Sequence, residues 1–238
     1  GESQRYPKSR LGVIGIIEDA LIKAINYTGK KNLRIEALRD ILEGKVQIHC
    51  HAYRQDEMLA LMESLRKFNI QVRMFHHALE AYKIAKELKK YNVHITTFSD
   101  WWSYKIETYD AIPYNAIITK KYDVLTSLNS DSPELARRLN TEASKMIKYG
   151  NLKETDALKL ITLNPAKQFG IDKYIGSIEV GKDADFVIWS SNPLSPYSIV
   201  LETWIEGRKF FDREDDIKRM EMLKNLKREL LDEYYKSN

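Results

Sequence analysis

The chain has 238 residues, 43% hydrophobic and 30% charged, with a net charge of +4. This composition fits a soluble globular chain and excludes a disordered one. No apolar run approaches the roughly 18 residues of a membrane span, and acidic residues interleaved with the basic ones leave no patch for nucleic acid. The single cysteine, Cys50, excludes an internal disulfide framework. The start, Gly1-Glu2-Ser3-Gln4-Arg5, has neither an initiator methionine nor a signal pattern, so a preceding segment is expected.

Taken in chain order, Val13, Ile16, Ile17, Ala20, Leu21, Ala24 and Ile25 recur at helical spacing and predict a helix over 12–27. A shorter helix over 33–42 stops at Gly44. A strand at 46–49, a helix at 57–68, a strand at 72–75 and a helix at 79–88 follow, then a strand at 93–96. Residues 99–114 are rich in aromatics and read as a loop leading into a helix over 114–121. A strand at 124–128 ends at Asn129-Ser130-Asp131. Ser132-Pro133-Glu134 supplies a cap and a first-turn proline for a helix to about 149. Residues 155–163 are helical, and Pro165 opens a further short helix. Beyond Gly170 the pattern changes to short strands at 175–180 and 185–189 and a hairpin over 203–211 around Glu206-Gly207. A charged amphipathic helix over 215–235 closes the chain, its stripe of Ile217, Met220, Leu223, Leu226, Leu230 and Leu231 expected to be packed.

Strand–helix alternation repeated four times argues for a parallel sheet with helical crossovers, either an open doubly wound sheet or part of a (β/α)₈ barrel. A whole barrel needs about 250 residues, and four strands here use the chain to about residue 170, so a complete barrel does not fit.

In such folds the chemistry sits at the C-terminal ends of the strands. Four of the five histidines, His49, His51, His76 and His77, fall at two such ends, and Asp131 falls just past a third. Imidazole and carboxylate together suit zinc or a similar transition metal. His49 and His51, two apart, point to one side of a strand; His76 and His77, adjacent, point opposite ways, so that at most one faces the site. Each has a plainer role open to it: hydrogen bonding in a polar barrel mouth for the pair, a turn or cap for Asp131. His94, early in its strand, reads as a satisfied structural histidine. Cys50 should point away from its neighbours as a small buried residue. Trp101 and Trp102 line a pocket or cover the rim, and Arg54, Asp56 and Glu57 follow the first histidine pair, where they either position substrate or begin a solvated helix.

The run Thr162-Leu163-Asn164-Pro165-Ala166-Lys167, then Gly170, then Gly176-Ser177-Ile178-Glu179-Val180-Gly181-Lys182-Asp183-Ala184-Asp185-Phe186-Val187-Ile188, resembles the C-terminal signature of the amidohydrolase superfamily. The likeness lies near its imidazolonepropionase-like and prolidase-like members, and Trp204-Ile205-Glu206-Gly207-Arg208 resembles their final hairpin. It runs from about Val46 to Asp212. It implies the C-terminal part of a (β/α)₈ barrel over 1–170, part of a small β-sandwich over 171–213 and a terminal helix over 214–238. Ile48-His49-Cys50-His51 resembles the fifth barrel strand, which makes His49 a metal ligand and leaves His51 to contact substrate. Phe75-His76-His77 resembles the sixth, with His77 in the ligand position. Leu128-Asn129-Ser130-Asp131 resembles the eighth, whose aspartate binds metal and handles the proton. Arg54, Trp101 and Trp102 are weaker substrate-binding candidates. The family's first-strand His-x-His pair has no counterpart here, and Glu2 stands as a weak match to its fourth-strand ligand. The implied activity is hydrolysis of amide, cyclic amide or dipeptide-like C–N bonds by one or two divalent ions, zinc or else iron or manganese, weak in this chain alone. A degenerate, non-catalytic relative that binds a ligand or partner is the alternative. Two open sheet edges are expected to favour a homo-oligomer or docking of an N-terminal half.

Overall fold

The computed structural model describes residues 5–237. The Glu2 assignment lies outside the described residues. The chain divides into two units between Gln168 and Phe169.

The first unit begins with α1 (Arg10–Asn26), started by the Ser9 hydroxyl accepting from the Gly12 N–H, and α2 (Leu33–Leu42), where the Asn32 carbonyl oxygen accepts from Arg34 and Ile35. Then come β1 (Ile48–His51), α3 (Gln55–Arg66), β2 (Val72–His76), α4 (Ala85–Lys90, entered through a 3₁₀ turn at Ala81–Ile84), β3 (His94–Thr97), α5 (Asn115–Lys121) and β4 (Thr126–Leu128). The four strands are parallel and pair in chain order, β1-β2-β3-β4. Each neighbour pair is joined by a helical crossover, the topology of a barrel segment and not of a doubly wound sheet, whose order reverses.

The core lies between sheet and helices. Val72, Phe75 and Ile95 from the strands and Val93 just before β3 meet Met58, Leu61, Leu65 and Leu88 from α3 and α4, all at most 6% exposed. Cys50 packs against this cluster, on the helix side as expected. The opposite face carries His49, level with Met74 and His94, and His51, level with His76.

The helix expected after Ser132 is two helices, α6 (Pro133–Ala136) and α7 (Leu139–Gly150), interrupted at Arg137-Arg138. At the end of α7 a Cβ on Gly150 would collide with the Ile117 side chain, so glycine lets α7 meet α5 this closely. α8 (Glu154–Lys159) and α9 (Leu163–Phe169) follow. They correct one expectation about the sheet edges. The Leu128 N–H donates to Leu160 O (2.9 Å), Asn164 Nδ2 to Thr126 O (2.7 Å) and Gln168 Nε2 to Leu125 O (3.0 Å), so the β4 edge is covered.

The second unit holds a three-stranded antiparallel sheet, β5 (Phe186–Trp189), β6 (Val200–Ile205) and β7 (Arg208–Asp212), with the expected Glu206-Gly207 turn, both residues left-handed. Phe186 and Trp204 stack across β5 and β6. Residues 175–180 form no strand. Gly176 and Gly181 both take φ +93°, and Lys182 bonds Ser177 Oγ (2.6 Å), closing a loop where an alternating strand was expected. α10 (Arg213–Ser237) ends the chain, and its apolar stripe is not packed: Ile217, Leu226 and Leu230 are 46–56% exposed.

Candidate metal centre

β1 delivers His49 and His51 to one face, β2 delivers His76, and His77 is the first residue beyond β2. The alternation argument, that only one of His76 and His77 could face the site, fails here. His77 takes a left-handed φ of +54°, which breaks the pleat and turns its ring back toward its neighbour. All four imidazoles consequently cluster. His49 Nδ1 lies 3.3 Å from His76 Nε2. The His51 ring stacks on His76 at 5.0 Å between centroids and tilts against His77 at 4.8 Å.

β4 brings the third contribution. Asn129 Nδ2 lies 3.0 Å from His77 Nδ1, and Asp131, itself left-handed at φ +46°, places Oδ2 3.7 Å from His77 Nε2. His77 is 5% exposed and Asp131 59%, so the pair joins a buried imidazole to an accessible carboxylate. His51 also lines a cavity of about 400 Å³ between α1, the end of β1 and α3, beside Ile14, Ile17 and Leu61.

Burial pushes His49, His76 and His77 below the ordinary imidazole range, His76 to about 4, so these rings are neutral near pH 7. The Arg73 charge adds to the effect at His49, and Asp131 opposes it at His77. His94 falls to about 4 through burial first, then through Arg73 and His49. It is not the satisfied histidine expected: its buried Nδ1 has no hydrogen-bond partner among the described residues. Burial raises the Cys50 thiol, which stays protonated and non-nucleophilic.

The donor set suits a divalent transition ion in kind, since neutral imidazole and carboxylate are its ordinary ligands. It suits one in spacing at His77 and Asp131, because two ligands each about 2.1 Å from a tetrahedral ion stand about 3.4 Å apart. Asn129 bears on the fit as well. Its amide N–H donates to His77 Nδ1, which puts the ring proton on Nε2, while its buried Oδ1 has no partner. Rotating the amide by 180° would give Oδ1 the Nδ1–H and free Nε2 for a metal, the usual arrangement behind a ligating histidine. Three donors do not yet converge: among the described residues no group of three His, Cys, Asp or Glu is close enough to hold an ion. His49 Nδ1 faces His76 Nε2 at 3.3 Å.

The weaker substrate candidates are more dispersed. Arg54 is taken up by Asp56, Nε to Oδ1 2.9 Å. Trp101 packs on Phe98 at 4.8 Å, and Trp102 is exposed. Sequence reasoning passed over Tyr53, which stacks on His77 at 5.9 Å and sits two residues beyond His51, a spacing that could have flagged it. It also passed over Lys105, whose Nζ lies 3.9 Å from the Tyr53 ring centroid.

A parallel strand–helix barrel segment with imidazoles and a carboxylate at its C-terminal strand ends defines the class, a (β/α)-barrel of the metal-dependent hydrolase type. The sequence profile described as the amidohydrolase family matches residues 31–210. Among curated proteins the chain is 31% identical over 187 residues to amidohydrolase tasK of Hapsidospora irregularis, covering 76% of this chain and 19% of that protein. It is 28% identical over 109 residues to the imidazolonepropionase of Picrophilus torridus, covering 43% of this chain and 28% of that protein. The crystal structure of an amidohydrolase from Thermotoga maritima MSB8 superposes with a TM-score of 0.81 at 31% identity, covering 87% of this chain and 57% of that one. The chain belongs to the amidohydrolase family. It spans less than two thirds of the length of each of these three proteins. Among the described residues no helix is long and apolar enough to cross a membrane.

Proposed function

We propose that the chain contributes the metal-holding and proton-handling face of a hydrolase that cleaves C–N bonds in small amides, cyclic amides or dipeptide-like substrates. The reading rests on one observation above all: His77 and Asp131, brought from two strand ends to 3.7 Å, with Asn129 behind the imidazole. Its ion is zinc, with iron or manganese as substitutes, one or two in number. His49 and His77 hold it together with Asp131. The chemistry such an ion supplies is polarisation of the scissile carbonyl and a lowered pKa for water at the site. Asp131, accessible at the mouth, takes the proton from that water and passes it to the leaving nitrogen. His51 contacts the substrate, and Trp101 gives it an aromatic wall.

Elemental analysis after loading with zinc, iron or manganese tests the reading in wild type and in His49→Ala, His77→Ala and Asp131→Asn. A panel of amides, lactams and dipeptides accompanies it. About one equivalent of metal in wild type, reduced in the variants, is expected, with weak or no turnover in this chain alone, because no three donors converge on one point among the described residues. A wild type that takes up no metal overturns it. A second reading, a non-catalytic relative that binds a ligand or partner, is favoured by the failure of three donors to converge. No metal uptake by the folded wild type would select it.

A further inference from the structure

We propose that Lys105 is the anchor for an anionic group of the substrate, a carboxylate, held at the mouth of the imidazole cluster among aromatic walls. This rests on the hydrolase reading for the site beneath it, but it stands on its own observations. Lys105 lies in the loop after β3, and its Nζ is 3.9 Å from the Tyr53 ring centroid and 5.6 Å from that of Tyr104. Tyr53 in turn stacks on His77, and Tyr104 packs edge-on against Trp101.

Among the described residues no carboxylate stands within ion-pair distance of this ammonium. Every other lysine near the loop is engaged: Lys83 with Asp110 at 2.6 Å, Lys145 with Asp100 at 2.8 Å. The nearby Asp131 is directed to His77 instead. A cation held on aromatic faces beside a candidate reaction centre is placed to take a ligand carboxylate, while the Tyr53, Trp101 and Tyr104 rings receive a flat or apolar body. The same cation rejects an uncharged analogue only by losing the ion pair, so the preference for charge is the measurable quantity.

The test is binding, not turnover, so its failure is separate from failure of the hydrolase reading. The probes are 3-phenylpropionate and its uncharged isostere 4-phenyl-2-butanone, titrated calorimetrically against the full chain at neutral pH. Wild type should bind the acid about tenfold more tightly, as one charge-assisted hydrogen bond implies. Lys105→Met should abolish that preference while leaving the ketone unchanged, Lys105→Arg should keep it, and added salt should reduce it. Equal affinities in wild type, a preference that survives in Lys105→Met, or no binding of either probe at millimolar concentration overturns the proposal.

Discussion

Two polar regions share the same sheet and behave in opposite ways. Around β3 and β4, amides and hydroxyls saturate one another. Gln168, fully buried, donates to Ile95 O and Leu125 O and accepts from Ser127 Oγ, and Asn115 Nδ2 donates to Ala78 O and Thr97 Oγ1. Buried Glu142 takes the Ser99 hydroxyl and the Lys145 ammonium. Around the ends of β1 and β2, four imidazoles face mainly each other. Of three buried side-chain atoms without partners among the described residues, Asn129 Oδ1 belongs to the amide on His77, and His94 Nδ1 to the residue level with His49. A saturated lattice holds a frame, whereas an unsaturated cluster keeps donors in hand for something not part of the chain.

The contrast can be broken by substitution. Gln168→Leu removes three buried hydrogen bonds and should cost about 3–4 kcal/mol in urea unfolding; a loss below about 1 kcal/mol would show that the lattice is not structural. Glu142→Ala takes one of two carboxylate partners from the Ser99 hydroxyl and from the Lys145 ammonium, both of which keep Asp100, and should cost about 2 kcal/mol by the same measurement, discounted because Lys145 is one third exposed.

The imidazole side should instead show itself through pH. His94 has a folded pKa of about 4 against 6.5 unfolded, so below pH 6.5 the unfolded chain binds the proton first. Its contribution is complete above 6.5 and is lost as the pH falls toward 4, about 2 kcal/mol at pH 5 by linkage. Urea unfolding at pH 7 and pH 5 should differ in wild type and differ by about 2 kcal/mol less in His94→Gln, His76 supplying a like share of what remains; an undiminished difference would sink this assignment. The smallest effect is expected of Asn129→Leu. It should weaken zinc binding about tenfold by releasing His77, yet change stability by under about 1 kcal/mol, since an orphaned atom leaves with the side chain. Unchanged zinc affinity, read with a competing chelator, would detach Asn129 from the site.

The four parallel strands were legible because each combines a short apolar run with a turn signal and a helix-period segment, a pattern that depends on near neighbours alone. The strand ends beside His77 and Asp131 were legible for the same reason, aided by the family likeness, whereas the strand expected to end at His49 runs on to His51 and sets His49 level with His94 at the start of β3. What escaped depends on distance or on dihedral angle. The grouping of His76 with His77 follows from one left-handed residue that alternation rules take for pleated strand. Lys105 reaches Tyr53 across 52 positions of sequence, and no local spacing encodes that approach. Residues 175–180 have a strand's composition, but paired left-handed glycines at 176 and 181 return the chain on itself. The α10 stripe reads as a buried face, and its periodicity could not say whether anything covers it.

The left-handed backbone at His77 carries a liability of its own. Asparagine, aspartate and glycine settle there with little strain, and most of the chain's other positive-φ positions hold one of these, whereas a ring-bearing residue pays about 1–2 kcal/mol. A directed search for heat-resistant variants, selecting on folding alone, would therefore tend to exchange this histidine for glycine or asparagine. The survivors would be sturdier and would have lost the imidazole. Thermal tolerance and the proposed metal role are set against each other at this one residue.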